Sequence, residues 1–374
     1  MSVMHPLISA WIGRGNFGDE LLAYGLRLEL YRAAPVVQID YYEAGRHPIF
    51  RAPDDARIEA LQHTSDGRLR RLWARLRIPH RTHDTLLFGG GSILHSEHSI
   101  RWKHALLKRF RARRRAMSSL AGGVGISLGP FPNATAERMA ADFVRDLDFL
   151  HCRDHSSAEF AGSLGSACTI IEGRDLAYTV KAIHPELFQG QPVPGRTGMS
   201  FILDPSLPPA QQQARFERMR AMIDHVTARG NTVLLIALYT ASRYHDDRLA
   251  ESLRAAAAHP DSVSVHAYRG DVFETLEQIA SCSHFVSMRL HGAVSAFLSG
   301  VPFLPVNKHP KVREFARAAG LNADEPALDL ESPREELLEG IDRLLAFATP
   351  AAGYSADSDG VFGHSVSALR KQFA

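Results

Sequence analysis

Arg289 and His291 interrupt an otherwise apolar stretch that runs from Cys282 to Phe315. Phe285 to Ser287 reads as a short strand, and Ala293 to Leu298 as an apolar helix stopped by Ser299-Gly300. Val301 to Val306 reads as a buried strand despite its two prolines. The polar pair therefore falls between a strand and a helix N-terminus, where an open α/β sheet places its ligand groups. Lys308, His309 and Lys311 follow the next strand. Cationic and titratable groups at two adjacent strand ends describe a pocket for a small anion. Arginine suits a carboxylate or a phosphate through its fork of donors, and histidine can give or take a proton near neutral pH. In the plainer account Arg289 caps a carbonyl and His291 is a packed imidazole, yet an unpaired guanidinium buried there would be costly.

A second set lies near the N-terminus. Pro6 to Gly13 reads as a strand that runs into Gly13-Arg14-Gly15-Asn16-Phe17-Gly18-Asp19-Glu20, and the helix after it sets Leu22, Leu26 and Leu30 on one face. Gly13, Gly15 and Gly18 form a G-x-G-x-x-G without a convincing ribose ligand, Asp40 being the nearest candidate. Asn16 can offer a ligand both a donor and an acceptor. Asp19 and Glu20 either hold or deprotonate a hydroxyl or simply favour the helix dipole. Leu86 to Phe88 leads into Gly89-Gly90-Gly91-Ser92, where glycines let a backbone approach a ligand or another backbone closely. Phe149 to Arg153 reads as a strand ending in Arg153-Asp154. His95, Glu97 and His98 lack the spacing of a metal site, and no metal is expected.

The elements that must carry these residues alternate between strand and helix, which implies largely parallel sheets covered on both faces. The 374 residues divide into a first unit over 1–181, a linker over 182–198, a second unit over 199–348, and a tail over 349–374 expected to pack on the first unit. A strand is expected from Val36 to Asp40, a short helix from Leu69 to Leu76, and the second unit is expected to open with a strand over Met199 to Leu203.

Hydrophobic residues at 45% and charged residues at 22% describe an ordinary globular chain, with a formal net charge of +2. Cys152, Cys168 and Cys282 fit neither a disulfide framework nor a metal site and are expected to be reduced and buried. No signal peptide or membrane span is read, so a cytoplasmic protein is expected. Eight Lys or Arg without a carboxylate lie between Arg101 and Arg115, Arg109, Arg111, Arg113, Arg114 and Arg115 among them. This helix is either a solvated face or a contact with an anionic membrane surface. The basic runs lack the interleaved aromatics of a nucleic-acid binder.

Taken in order, these motifs resemble the polysaccharide pyruvyl transferase family: G-N-x-G-D-E at 15–20, the glycine triplet, R-D-x-x-S at Arg153, Asp154 and Ser157, and Asp-apolar-Ala-aromatic at Asp175 to Tyr178. Arg289-Leu290-His291, Gly300-Val301-Pro302 and Lys311-Val312 continue the series, over roughly residues 8 to 320. The resemblance implies two Rossmann-like domains facing across a cleft, as in GT-B glycosyltransferases. It implies transfer of the enolpyruvyl carbons of phosphoenolpyruvate onto two hydroxyls of a cell-surface or exopolysaccharide sugar, giving a cyclic ketal and phosphate. Phosphoenolpyruvate would be the co-substrate, with no further cofactor, and a sugar or lipid-linked oligosaccharide the acceptor; an oligomer is compatible. Arg153 and Arg289 would clamp the donor from opposite walls. Gly15, Asn16, Gly90, Gly91, Ser92, Lys308, His309 and Lys311 would bind substrate, and His291, with Asp19 or Glu20, would move protons. A nucleotide-sugar-dependent GT-B glycosyltransferase and a non-catalytic carbohydrate-binding assembly protein are the rival readings.

Overall fold

A computed structural model of the chain describes residues 5–33, 39–42, 83–113, 119–241, 244–321, 328–347 and 371. The first sheet is built from β1 (Pro6–Ser9), β2 (Asp40–Tyr42), β3 (Thr85–Gly91), β4 (Leu120–Ile126), β5 (Phe149–Cys152) and β6 (Thr169–Glu172). All its pairings are parallel, in the order β2-β1-β3-β4-β5-β6. Its helices are α1 (Phe17–Ala33), α2 (Glu97–Arg113), α3 (Ala134–Arg145), α4 (His155–Ser163) and α5 (Ala177–Ile183). The second sheet contains β7 (Arg196–Ser200), β8 (Thr232–Ala237), β9 (Val263–Ala267), β10 (His284–Ser287) and β11 (Phe303–Pro305), also parallel, in the order β11-β10-β7-β8-β9. It carries α6 (Pro209–Thr227), α7 (Asp246–Ala256), α8 (Val272–Ala280), α9 (Leu290–Leu298), α10 (Pro310–Ala318) and α11 (Arg334–Leu345). These are two Rossmann-like sheets facing across a cleft, the GT-B-like arrangement. The tail over 349–374, apart from Lys371, the helix over Leu69 to Leu76, and Arg114 and Arg115 lie outside the described residues.

Strand order fixes where a ligand can sit. The chain leaves β1 for β2 on one side and returns to β3 on the other; in the second sheet β7 leads to β8, while β10 lies on its opposite side. Each reversal opens a crevice beyond the carboxyl ends of the strands. Arg289 and His291 follow β10, and Gly91 and Ser92 follow β3. β11 tolerates Pro305 because it is an edge strand, its ladder partners among the described residues lying on β10.

α1 has two buried faces where the sequence shows one. Leu22, Leu26 and Leu30 pack with Ile8, Leu87, Val124 and Leu176 in the first domain. Phe17, Leu21 and Tyr24 share a core with Leu234, Leu238, Tyr268 and Leu276 of the second. The backbone continues this joint: Phe17 N donates to Leu238 O at 2.9 Å, Thr240 N donates to Gly15 O at 3.0 Å, and Asn16 forms an antiparallel bridge with Tyr239.

Several expectations shift. β2 begins at Asp40 and β7 at Arg196, where Thr197 is fully buried because β7 is central in its sheet. α10 was not anticipated, although Pro310 at its first turn is a helix-start signal. The basic helix α2 is tied to its own domain. Arg111 pairs with Asp148 at 2.7 Å and also donates to Asp146 O, while His104 meets Asp146 at 2.6 Å. The three cysteines are free and buried. Among the described residues no helix is long and apolar enough to cross a membrane, and no group of three or more His, Cys, Asp or Glu could hold a metal ion.

Candidate functional site

A cavity of about 780 Å³ opens between the two sheets. The first domain lines it with Trp11, Arg14, Asn16 and Asp19, with Gly91, Ser92, His95 and Trp102, and with Arg153. Opposite stand Ile202 after β7, Tyr239 and Tyr244 after β8, Arg289 and His291 after β10, and Asn307, His309 and Lys311 after β11. The walls thus come from the carboxyl ends of strands in both sheets.

Arg153 organises the centre. Its Nε donates to Ser127 Oγ at 2.6 Å, Nη1 to Asp175 Oδ2 at 3.0 Å and Nη2 to Ser92 Oγ at 3.4 Å. Lys311 Nζ, from the first turn of α10, also reaches Ser92 Oγ. Two cations from opposite domains therefore converge on one hydroxyl. Burial, and then the nearby Arg153, pull the Lys311 ammonium down to about 8. An anion placed beside Ser92 would offset both by supplying the opposite charge.

His291 lies across the cleft from Arg153, its Nε2 3.2 Å from Asp175 Oδ2 and 3.5 Å from Arg153 Nη1. The other edge of the ring rests on α1. A β-carbon at Gly18 would lie 2.1 Å from His291 Nδ1. Glycine is required here for room, not for backbone conformation. Beside it Asp19 accepts from Asn16 Nδ2 at 2.6 Å. Burial raises its carboxyl to about 6, against the opposing charges of His291, Arg153 and Arg289.

Arg289 does not reach out as one arm of a clamp. Its Nε and Nη2 both donate to the buried carboxylate of Asp246, each at 2.7 Å. Its guanidinium lies 5.3 Å from the Tyr239 ring and 5.6 Å from that of Tyr244. With its fork satisfied, the arginine props an aromatic corner of the cavity.

Glu20, Gly15, Gly90 and Lys308 are displaced from the cavity, whereas His309 stays on its wall. Glu20 is fully buried, accepts from Gly15 N and Tyr268 Oη, and stitches α1 to the second domain, so it cannot meet a substrate hydroxyl. Gly15 packs on Ala241, and Gly90 gives way to Leu22 of α1. Lys308 turns away to Asp329 at 3.3 Å. His309 lines the cavity and accepts from Lys311 N at the start of α10. The sequence reading assigned no role to Asp175, Asp246, Tyr239, Tyr244 or Trp11. Asp175 alone left a signal, as the first residue of its motif.

A family model described as polysaccharide pyruvyl transferase matches residues 16–310. The chain belongs to that family. No curated protein matches its sequence. Among solved structures this pyruvyl transferase family member is similar to a UDP-GlcNAc 2-epimerase from Methanocaldococcus jannaschii, with 8% identity, TM-score 0.60, and coverage of 99% of this chain and 100% of that one. It is similar to Staphylococcus aureus MnaA solved with UDP, with 10% identity, TM-score 0.62, and coverage of 98% and 95%. It is also similar to HepE of Anabaena in complex with UDP-glucose, with 15% identity, TM-score 0.57, and coverage of 99% and 98%. At these identities the likeness shows the fold.

The comparison corrects the functional expectation. Phosphoenolpyruvate as co-substrate, a pyruvyl ketal as product, and a phosphoenolpyruvate-plus-acceptor pair of partners are overturned by it. The solved structures that span the whole chain are named for UDP and UDP-sugars, and none of these three for phosphoenolpyruvate.

Proposed function

We propose that this family member acts on a nucleoside diphosphate sugar in the interdomain cleft and catalyses nucleotide-sugar-dependent glycosyl transfer. The observation that carries this is the cavity's size and its division of chemistry. About 780 Å³ falls within the roughly 300–1,000 Å³ of ligand-binding pockets and leaves room for a nucleotide and a sugar together. Tyr244, half-buried on the cavity wall, offers an aromatic face for a base. Arg153, Lys311 and Ser92 converge where a diphosphate would lie.

In this reading the bond between the anomeric carbon and the diphosphate oxygen breaks, and the diphosphate leaves with the electron pair. Lys311 and Arg153 stabilise that charge. Asp19 takes the proton of the attacking hydroxyl, and His291 supplies one to the departing phosphate oxygen. The walls of the cleft come from both domains, so closing it around the sugar excludes water from the developing charge.

Calorimetry with UDP, UDP-glucose, UDP-GlcNAc and inorganic diphosphate tests the reading. UDP should bind about fivefold to a hundredfold more tightly than diphosphate, since stacking one base on an aromatic ring is worth about 1–3 kcal/mol. Incubation with a cognate nucleotide sugar should release UDP. Absence of nucleotide binding together with absence of UDP release would overturn it.

The pH dependence has a definite sign. Asp19, raised to about 6, must be ionised to take a proton, so kcat/KM should rise through about pH 6. Lys311, lowered to about 8, must be charged to hold the leaving group, so kcat/KM should fall through about pH 8. Asp19→Asn should remove the acid limb. Lys311→Arg should move the basic limb upward, because a guanidinium stays charged. A profile without either limb would show that these groups do not act.

A further inference from the structure

We propose that Asp175 is a positioning residue that fixes the tautomer of His291, keeping a proton on Nε2 and leaving Nδ1, which rests against Gly18, as the bare nitrogen. This rests on the reading of His291 as the proton-transfer group, but the tautomer can be observed independently of any substrate.

What each partner can donate sets the tautomer of the ring. An ionised carboxylate only accepts. Asp175 Oδ2 lies 3.2 Å from His291 Nε2, so that contact is attractive only if Nε2 carries hydrogen. Arg153 Nη1 stands 3.5 Å from the same nitrogen, beyond the range of a good N–H···N bond, and directs one of its two hydrogens to Asp175 at 3.0 Å. Asp175 is itself held from three directions. Oδ1 accepts from Ala177 N at 3.0 Å, at the start of α5, and Oδ2 faces Arg153 and His291. Burial opposes ionisation of its carboxyl, but His291 and Arg153 outweigh it and hold the group well below the usual carboxylate range. It is an anion throughout the working pH range.

The opposite edge of the ring shows the consequence. Nδ1 rests against Gly18, with Asp19 next in sequence on the cavity wall, and makes no hydrogen bond among the described residues. A ring with its proton on Nδ1 would present a donor there and set a lone pair against the Asp175 carboxylate. The Nε2–H form avoids that repulsion and leaves Nδ1 as the nitrogen that can take up a proton and pass it to the departing phosphate oxygen. This accounts for the Asp-apolar-Ala-aromatic segment: Asp175 orients the imidazole, while Ala177 and Tyr178 are buried and anchor α5.

Nitrogen-15 spectroscopy of the histidine-labelled protein decides the point. The His291 signals are identified by their loss in His291→Gln. At a pH where the ring is neutral, the wild-type protein should show a protonated Nε2 and an unprotonated Nδ1. In Asp175→Asn the amide can turn its own N–H₂ to the ring, so the Nδ1–H form should gain population. Turnover should then fall roughly tenfold to a hundredfold, in line with the share of rings in the wrong tautomer, with KM nearly unchanged. A wild-type spectrum with hydrogen on Nδ1 would overturn the proposal, as would an Asp175→Asn spectrum still wholly Nε2–H. Should Asp175→Asn fail to fold because Arg153 loses its counter-ion, the wild-type spectrum alone decides. If the nucleotide-sugar reading failed, that would appear instead as absent UDP binding, which leaves the tautomer measurement untouched.

Discussion

His291→Gln is expected to bind UDP within a few-fold of the wild-type protein and to lose about 10²- to 10⁴-fold in turnover. Glutamine suits the test because its amide nitrogen can reach the place of Nε2 and keep donating to Asp175, now 3.2 Å from that nitrogen. Arg153 then keeps its counter-ion, and the diphosphate site formed with Lys311 and Ser92 remains intact. What the amide lacks is a nitrogen that can gain or lose a proton near neutral pH. The loss should therefore appear in kcat, with KM little changed, the pattern of an interaction made only in the transition state. UDP affinity measured by calorimetry and turnover measured by UDP release provide the two numbers. Wild-type turnover would remove the proton-transfer role. Parallel loss of binding and turnover would make His291 a phosphate ligand instead.

Gly18→Ala should also cost about 10²-fold or more in turnover, although alanine is the better helix former by about 1 kcal/mol. Its β-carbon would lie 2.1 Å from His291 Nδ1 and 2.7 Å from Cγ, so something must move by more than an ångström. The ring has little freedom to swing, because Asp175 and Arg153 hold its far edge. α1 cannot retreat easily, since Phe17 N is bonded to Leu238 O and Phe17 is fully buried in the shared core. Misplacing a reacting group by about 1 Å can cost about 10²-fold in rate, and forcing one extra carbon into a packed site costs about 1–3 kcal/mol of stability. A double-mutant cycle with His291→Ala isolates the clash. The stability cost of Gly18→Ala should largely vanish when the ring is absent. An equal cost in both backgrounds, or wild-type turnover in the single variant, would show that the contact does not constrain the site.

Much of the cavity wall was legible because it lies at strand ends. Arg289 and His291 stand out as polar residues between apolar runs, and Ser92 and Arg153 directly follow strands. What each side chain does there was less legible. Arg289 looks like an anion clamp until Asp246, 43 residues earlier in the chain, is found holding its fork. Asp19 and Glu20 are adjacent and equally acidic, yet a helix turns neighbouring residues about 100° apart. One therefore faces the cavity, while the other is buried against Tyr268. Lys308 and Lys311 part in the same way, because α10 begins between them. The size of the cavity left no mark in any local pattern.

The sequence by itself determined the α/β alternation, the family motifs and the strand ends from which functional side chains emerge. These follow from hydrophobic periodicity and from glycine, proline and capping residues, which act within a few positions of one another. Only the tertiary structure decided that the Gly15 to Glu20 segment is as much a joint between domains as a ligand loop. Phe17, Gly18 and Glu20 meet Leu238, His291 and Tyr268, more than 200 residues away. It also decided the pairing of Arg153 with Asp175 and of Asp175 with His291. Those partners are set by where parallel strands stack and helices return, and burial then imposes on each charge the nearest group able to satisfy it.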